Sequence, residues 1–188
     1  MMLNGVRRSV HGYRSIQASG GGEKNMTLKD SMHLVADPEN MHHSVREVFE
    51  TMLGVQCRLE EGVKSIPGVK DAVSVTAVVG FGGILSGACV IRCDALAACT
   101  IAARMAGMEF ETVDDIVKDA IGEICNMLAG TWKSKVPDLA ANCGLSVPAV
   151  ITGSDYNLHV QSPEFRICQS YAFDDTSFEM IIVCDALQ

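Results

Sequence analysis

No stretch of this 188-residue chain offers the roughly 18 consecutive apolar residues that a membrane-crossing helix requires, because charges interrupt every long candidate. Membrane insertion by a helix is not expected. A surplus of positive charge is also missing. The net charge is −8 and the isoelectric point near 5.0, so nucleic acid, which needs a basic footprint, is not an expected partner. The eight cysteines (57, 89, 93, 99, 125, 143, 168 and 184) include no C-x-x-C pair, and most stand among apolar neighbours. They read as reduced, mostly buried thiols of a cytosolic protein, with no metal and no cofactor bound by this chain.

Residues 1–25 lack the apolar core of a signal peptide, although Arg7, Arg8 and Arg14 stand there without an acid. Residues 1–36 are read as a disordered or mis-started extension and 37–188 as the folded domain. The run GFGGILSG fails as a dinucleotide-binding loop, since Leu85 takes the third glycine's place and a strand follows. It is read as a hairpin turn.

What is present is enough for one packed core, at 48% hydrophobic residues. Asp37-Pro38 opens a helix that stops at Gly54, with Val45, Val48, Phe49, Met52 and Leu53 on its apolar face. His42 and His43 are adjacent, point about 100° apart and read as solvated. Strands follow at Val55–Glu60, Asp71–Val79 and Ile84–Arg92, with turns at Ile66-Pro67-Gly68 and Gly80–Gly83. A helix spans Asp94–Gly107. After a central helix come strands at Leu145–Thr152, Asn157–Gln161, Phe165–Phe173 and Phe178–Cys184, with Asp174–Ser177 as the last loop.

The central helix, Thr112–Val136, carries the sharpest signal. Thr112 is placed to cap it, Asp115 to close a capping box, and Pro137 ends it. At about 100° per residue, Val113, Val117, Ala120, Ile121, Ile124, Leu128 and Trp132 form a core side. Opposite them gather Asp115, Asp119, Gly122, Glu123, Asn126, Gly130 and Lys133. Two helical glycines cost about 1 kcal/mol each against alanine, which suggests that another surface approaches Glu123 and Asn126 closely.

The chain also repeats itself. EVFETMLG, from Glu47 to Gly54, matches EICNMLAG, from Glu123 to Gly130. CVIRCDA, from Cys89 to Ala95, matches MIIVCDA, from Met180 to Ala186. Two helix-and-strands units sharing one antiparallel sheet give an α+β fold. At the fourth position of the helix match the first copy has Glu50 and the second Asn126, so only the second half is equipped with the carboxamide.

Asp119-x-x-x-Glu123-x-x-Asn126, followed by Met127-Leu128-Ala129-Gly130 and a later Pro148, resembles the signature of the CheC/CheX/FliY chemotaxis phosphatases. With a single intact motif it is most similar to the CheX branch. The resemblance covers roughly Asp37 to Leu187; its one departure is Pro148, which stands about one residue nearer the asparagine than the family pattern has it.

The resemblance implies a CheC-like fold of two pseudo-symmetric halves sharing a mainly antiparallel sheet, with long helices packed on it. It implies a cytoplasmic phosphatase acting on the aspartyl phosphate of a phosphorylated CheY-like response regulator, with Mg2+ on the regulator. Asn126 would position the water, and Glu123 would meet a cation of the regulator. Asp119, Gly122, Gly130 and Lys133 would border the partner. A homodimer is also implied. The competing readings are a module that binds a response regulator or signalling partner without catalysis, and a redox or metal protein built on the cysteines, which their spacing disfavours.

Overall fold

The computed structural model describes residues 35–60, 73–154 and 163–187. The extension up to residue 34, the Ile66-Pro67-Gly68 turn, the first residues of the Asp71–Val79 segment and the Asn157–Gln161 segment lie outside them.

Helix α1 (Pro38–Val48) starts where its sequence dictates. The Asp37 carboxylate accepts from the Glu39 amide at 3.0 Å, and Pro38 fills the first turn, where its missing N–H is not needed. The helix then widens into one π turn, Phe49–Leu53, closed by Gly54 at φ 66°. Two expectations change here. Met52 is rotated outward by the wider turn and is 45% exposed, while Val45, Val48, Phe49 and Leu53 are buried. His42 is not solvated as His43 is: its ring stacks on Tyr171 with centroids 5.9 Å apart.

After α1 come β1 (Arg58–Leu59), β2 (Ser74–Gly83), β3 (Leu85–Asp94), α2 (Ala95–Ala106), α3 (Asp115–Ser134), α4 (Pro137–Asn142), β4 (Cys143–Leu145), β5 (Ala149–Gly153), β6 (Phe165–Phe173) and β7 (Thr176–Leu187). The described strands form one antiparallel sheet in the order β1-β6-β7-β3-β2, and β4 and β5 both pair with the outer edge of β2.

Several boundaries differ from the sequence expectation, each for a local reason. The glycine run lies inside β2, and the chain reverses at Ile84. Gly83, at φ 114°, leaves room that a Cβ would not, since that atom would stand 2.3 Å from the Asn142 carbonyl oxygen. Asp114, not Thr112, caps α3: its carboxylate accepts from the Val117 amide at 2.9 Å. Pro137 ends α3 and also opens α4. The single strand expected over Leu145–Thr152 is split by Ser146-Val147-Pro148, because Pro148 has no amide to give the ladder.

The internal repeat acquires a geometric meaning in the β3–β7 register. Val90 pairs with Ile181, Cys89 with Ile182 and Ile91 with Met180. The repeat equates Cys89 with Met180, Val90 with Ile181 and Ile91 with Ile182, so the pairs on either side of Val90–Ile181 exchange under a local twofold through that point. Each half also lends its leading strand to the other. β1, which follows α1, pairs with β6 of the second half, and β5, which follows α3, pairs with β2 of the first.

One face of the sheet carries the core. Val75, Ala77, Val79, Cys89, Ile91, Cys93, Phe178, Met180 and Ile182 pack with the helices, and Trp132 of α3 is fully buried against Phe81, with ring centroids 5.2 Å apart. The alternate residues Val90, Ile181 and Val183 form a smaller, separate cluster.

Candidate functional site

The site is built on α3, and the sheet holds that helix in place. Ile121, Ile124, Cys125, Leu128, Ala129 and Trp132 point into the core and are fully buried. The Cys125 thiol reaches the carbonyl oxygens of Ala77 and Cys89 at 3.6 and 3.7 Å, tying the middle of the helix to β2 and β3. A hydrogen bond with Cys125, together with burial, pushes the Cys89 thiol pKa well up, so Cys89 stays a protonated packing group. The residue after Cys125 turns by about 100° from that anchor. That residue is Asn126.

Asp119 and Glu123 are exposed and Asn126 is half-buried. Three positions apart on an α-helix, Glu123 and Asn126 lie about 60° apart, on one side of α3. None of the three polar side chains makes a hydrogen bond or ion pair with another described residue, so their donors and acceptors are available to a partner.

The other expected residues are placed differently. Lys133 is partly covered, and its ammonium donates to the Ala140 carbonyl of α4 at 3.2 Å. Gly122 is buried, not open as expected. A Cβ there would stand 3.4 Å from both Pro148 Cβ and Val150 Cγ2. At Gly130, which is half-buried, the nearest atom to such a Cβ would be Leu145 Cδ1 at 3.9 Å. Both glycines face the chain's own segment 145–148, which lies along α3 with Leu145 near Gly130 and Pro148 against Gly122.

Pro148 is visible in the motif, but its role is not legible from the sequence. Its ring packs on Gly122, next to Glu123. Ser146 pins the same segment to β2: its amide donates to the Gly80 carbonyl at 2.9 Å, and its hydroxyl accepts from the Gly80 amide at 2.8 Å. Between them Val147 is 87% exposed. A polar tether and a proline on either side of a lone valine are legible signals only once the packing on Gly122 is known.

The repeated helix in the first half is differently employed. Glu47, the counterpart of Glu123, pairs with Lys135 at 2.9 Å, and Glu50, the counterpart of Asn126, pairs with Arg46 at 3.4 Å. Glu50 also lies in the π turn, so the pair Glu47/Glu50 does not share the α-helical spacing of Glu123/Asn126. Among the described residues, no group of three or more His, Cys, Asp or Glu is arranged to hold a metal ion, and no helix is long and apolar enough to cross a membrane.

A family profile described as chemotaxis phosphatase CheX matches residues 75–171, just over half of the chain. The CheY-P phosphatase CheX of Thermotoga maritima is 27% identical over 116 residues, which cover 61% of this chain and 74% of that protein. Among solved structures, the chemotaxis protein CheX from Desulfovibrio desulfuricans aligns with a TM-score of 0.64 at 22% identity, over 80% of this chain and 98% of that one. The CheX–CheY–BeF3–Mg2+ complex from Borrelia burgdorferi aligns with a TM-score of 0.62 at 22% identity, over 79% of this chain and 97% of its own. At these identities the structural likeness speaks to the fold, an antiparallel sheet carrying helices.

Proposed function

The chain belongs to the CheX chemotaxis phosphatase family, and from that premise we propose that it hydrolyses the aspartyl phosphate of a CheY-like response regulator, with Asn126 positioning the attacking water. The observation that carries this reading is Asn126 itself: a carboxamide with no intramolecular partner among the described residues, set beside exposed Glu123 on a helix whose other side is locked into the core.

The chemistry asks little more of this chain. An acyl phosphate is already activated, so placing a water in line with the scissile bond is the main task. The carboxamide oxygen accepts a hydrogen bond from the water, and its NH2 is free to donate. As the water oxygen bonds to phosphorus, the bond from phosphorus to the aspartyl oxygen breaks. The receiver carboxylate is regenerated, and inorganic phosphate leaves with the water's oxygen and both of its protons, one of which exchanges with solvent. Mg2+, named with CheY in the Borrelia complex, would be held by the receiver and neutralise phosphoryl charge there. Glu123 meets a cationic side chain of the receiver, and Asp119, one helical turn earlier, adds to the anchoring.

We place the chain in the cytoplasm with its partner and expect a homodimer. Edge strand β5, with Ile151 44% exposed, is the feature in favour of pairing, and light scattering on the eluting protein tests it.

The function is tested by adding the purified protein to each phosphorylated single-domain receiver of the same genome and following phosphate release. At least one receiver is expected to lose phosphate faster than by its own decay, and Asn126→Ala is expected to lower kcat about a hundredfold. Tight binding of a receiver with an unchanged phosphate lifetime would instead select a docking module.

A further inference from the structure

We propose that Ser146-Val147-Pro148 is the receiver-selecting element of this site, with Val147 seating on an apolar patch beside the receiver's phosphorylated aspartate. The proposal rests on the phosphatase reading and names a partner contact for the same site.

Position is the first argument. Gly122, Asn126 and Gly130 follow one another at intervals of four along one seam of α3. Pro148 lies against Gly122 and Leu145 against Gly130, so the intervening Ser146 and Val147 pass Asn126 at its own level. A receiver that brings its phosphoaspartate to Asn126 meets this segment at the same time.

Presentation is the second. Val147 is 87% exposed, the most exposed large apolar side chain among the described residues. A single exposed valine on a loose loop needs no explanation, but this one is held from both sides. Ser146 is fixed to Gly80 by two hydrogen bonds of 2.9 and 2.8 Å, and its hydroxyl donates to the Val147 carbonyl at 3.0 Å. The following proline restricts the backbone of Val147 to extended conformations. A β-branched side chain on a pinned backbone loses little freedom on binding, which is the condition under which an apolar contact contributes most to affinity.

Chemistry is the third. The chain as a whole is acidic, at a net charge of −8, and its helix face offers Asp119 and Glu123, so charge alone attracts any cationic rim. A neutral, shape-dependent contact next to these charges discriminates between receivers that share the same phosphorylation chemistry.

The test uses the full chain and the receiver that it dephosphorylates fastest. Val147→Asp is expected to raise KM roughly tenfold or more, with most of the loss in KM and not in kcat, and to weaken binding of the same receiver loaded with beryllofluoride and Mg2+ by a similar factor. Val147→Ile is expected to retain both values. Ser146→Ala, which removes the hydroxyl's two hydrogen bonds but keeps the amide bond to Gly80, is expected to give a smaller rise in KM. Thermal unfolding within a degree or two of the parent's shows that the exposed substitution acts locally. If Val147→Asp leaves KM and receiver binding unchanged while Asn126→Ala still removes activity, the receiver-selecting role is wrong and the phosphatase reading stands. If no receiver is dephosphorylated by the parent protein, both fall together.

Discussion

In the proposed reaction Asn126 works through a neutral amide, and this decides which replacements it tolerates. Asn126→Asp keeps the shape and one acceptor oxygen but removes the NH2 donor and sets a negative charge against an anionic phosphoryl group. It is expected to lose about as much kcat as Asn126→Ala, read from single-turnover phosphate release. The cysteines make the opposite case, of reactive side chains made inert by place. All eight are free thiols and seven are buried. Burial raises the Cys57 thiol from 9.0 to about 12, with smaller contributions from the charges of Asp174 and Glu50. In the unfolded chain this thiol ionises near its ordinary value, while in the folded protein it stays protonated. Its share of stability is therefore fully present below about pH 9 and is lost as pH rises towards 12. Cys93 and Tyr171 are shifted upward mainly by burial and act in the same direction. Urea midpoints are expected to fall steadily above about pH 9, and a thiol reagent at neutral pH is expected to label the half-buried Cys168 well before the others.

At the scale of the element, α3 is a helix under two local constraints that mutation separates. Its start depends on the Asp114 carboxylate at the Val117 amide, so Asp114→Ala is expected to cost about 1 kcal/mol in urea unfolding. Gly122 is the reverse case. A methyl group there would make ordinary contacts at 3.4 Å with Pro148 and Val150, and alanine is the better helix former. Gly122→Ala is expected to stabilise the protein by roughly 0.5–1 kcal/mol. A marked loss of stability on this substitution would show that the segment over Gly122 cannot yield even a few tenths of an ångström. The Glu47–Lys135 pair joins α1 to α3, but Glu47 is more than half exposed, and a double-mutant cycle is expected to find less than about 1 kcal/mol in it.

For the molecule as a whole, the exchange of leading strands between the halves makes one cooperative body of a duplicated sequence. β1 belongs to the first unit by sequence and to the β6–β7 hairpin by pairing; β5 stands in the converse relation to β2. Residues 1–107 and 108–188, expressed separately, are each expected to lack dispersed amide resonances, since each half exposes a hairpin edge and the β3–β7 seam is lost. Mixed together, the two pieces are expected to regain part of the native spectrum.

The sequence by itself determined the α+β class, the two helix starts at Asp37 and Asp94, the β6 span, the central helix and the face of it that holds Glu123 and Asn126. These are set by periodicity and capping, which act over a few residues and leave their pattern in the chain. Tertiary structure alone decided the π turn that turns Met52 outward, the stacking of His42 on Tyr171, the register that places a twofold at Val90–Ile181, and the use of Gly122. The last three of these depend on contacts between residues far apart in sequence. A glycine on a helix announces that something comes close; only the packed chain shows that it is Pro148, the neighbour of the exposed Val147.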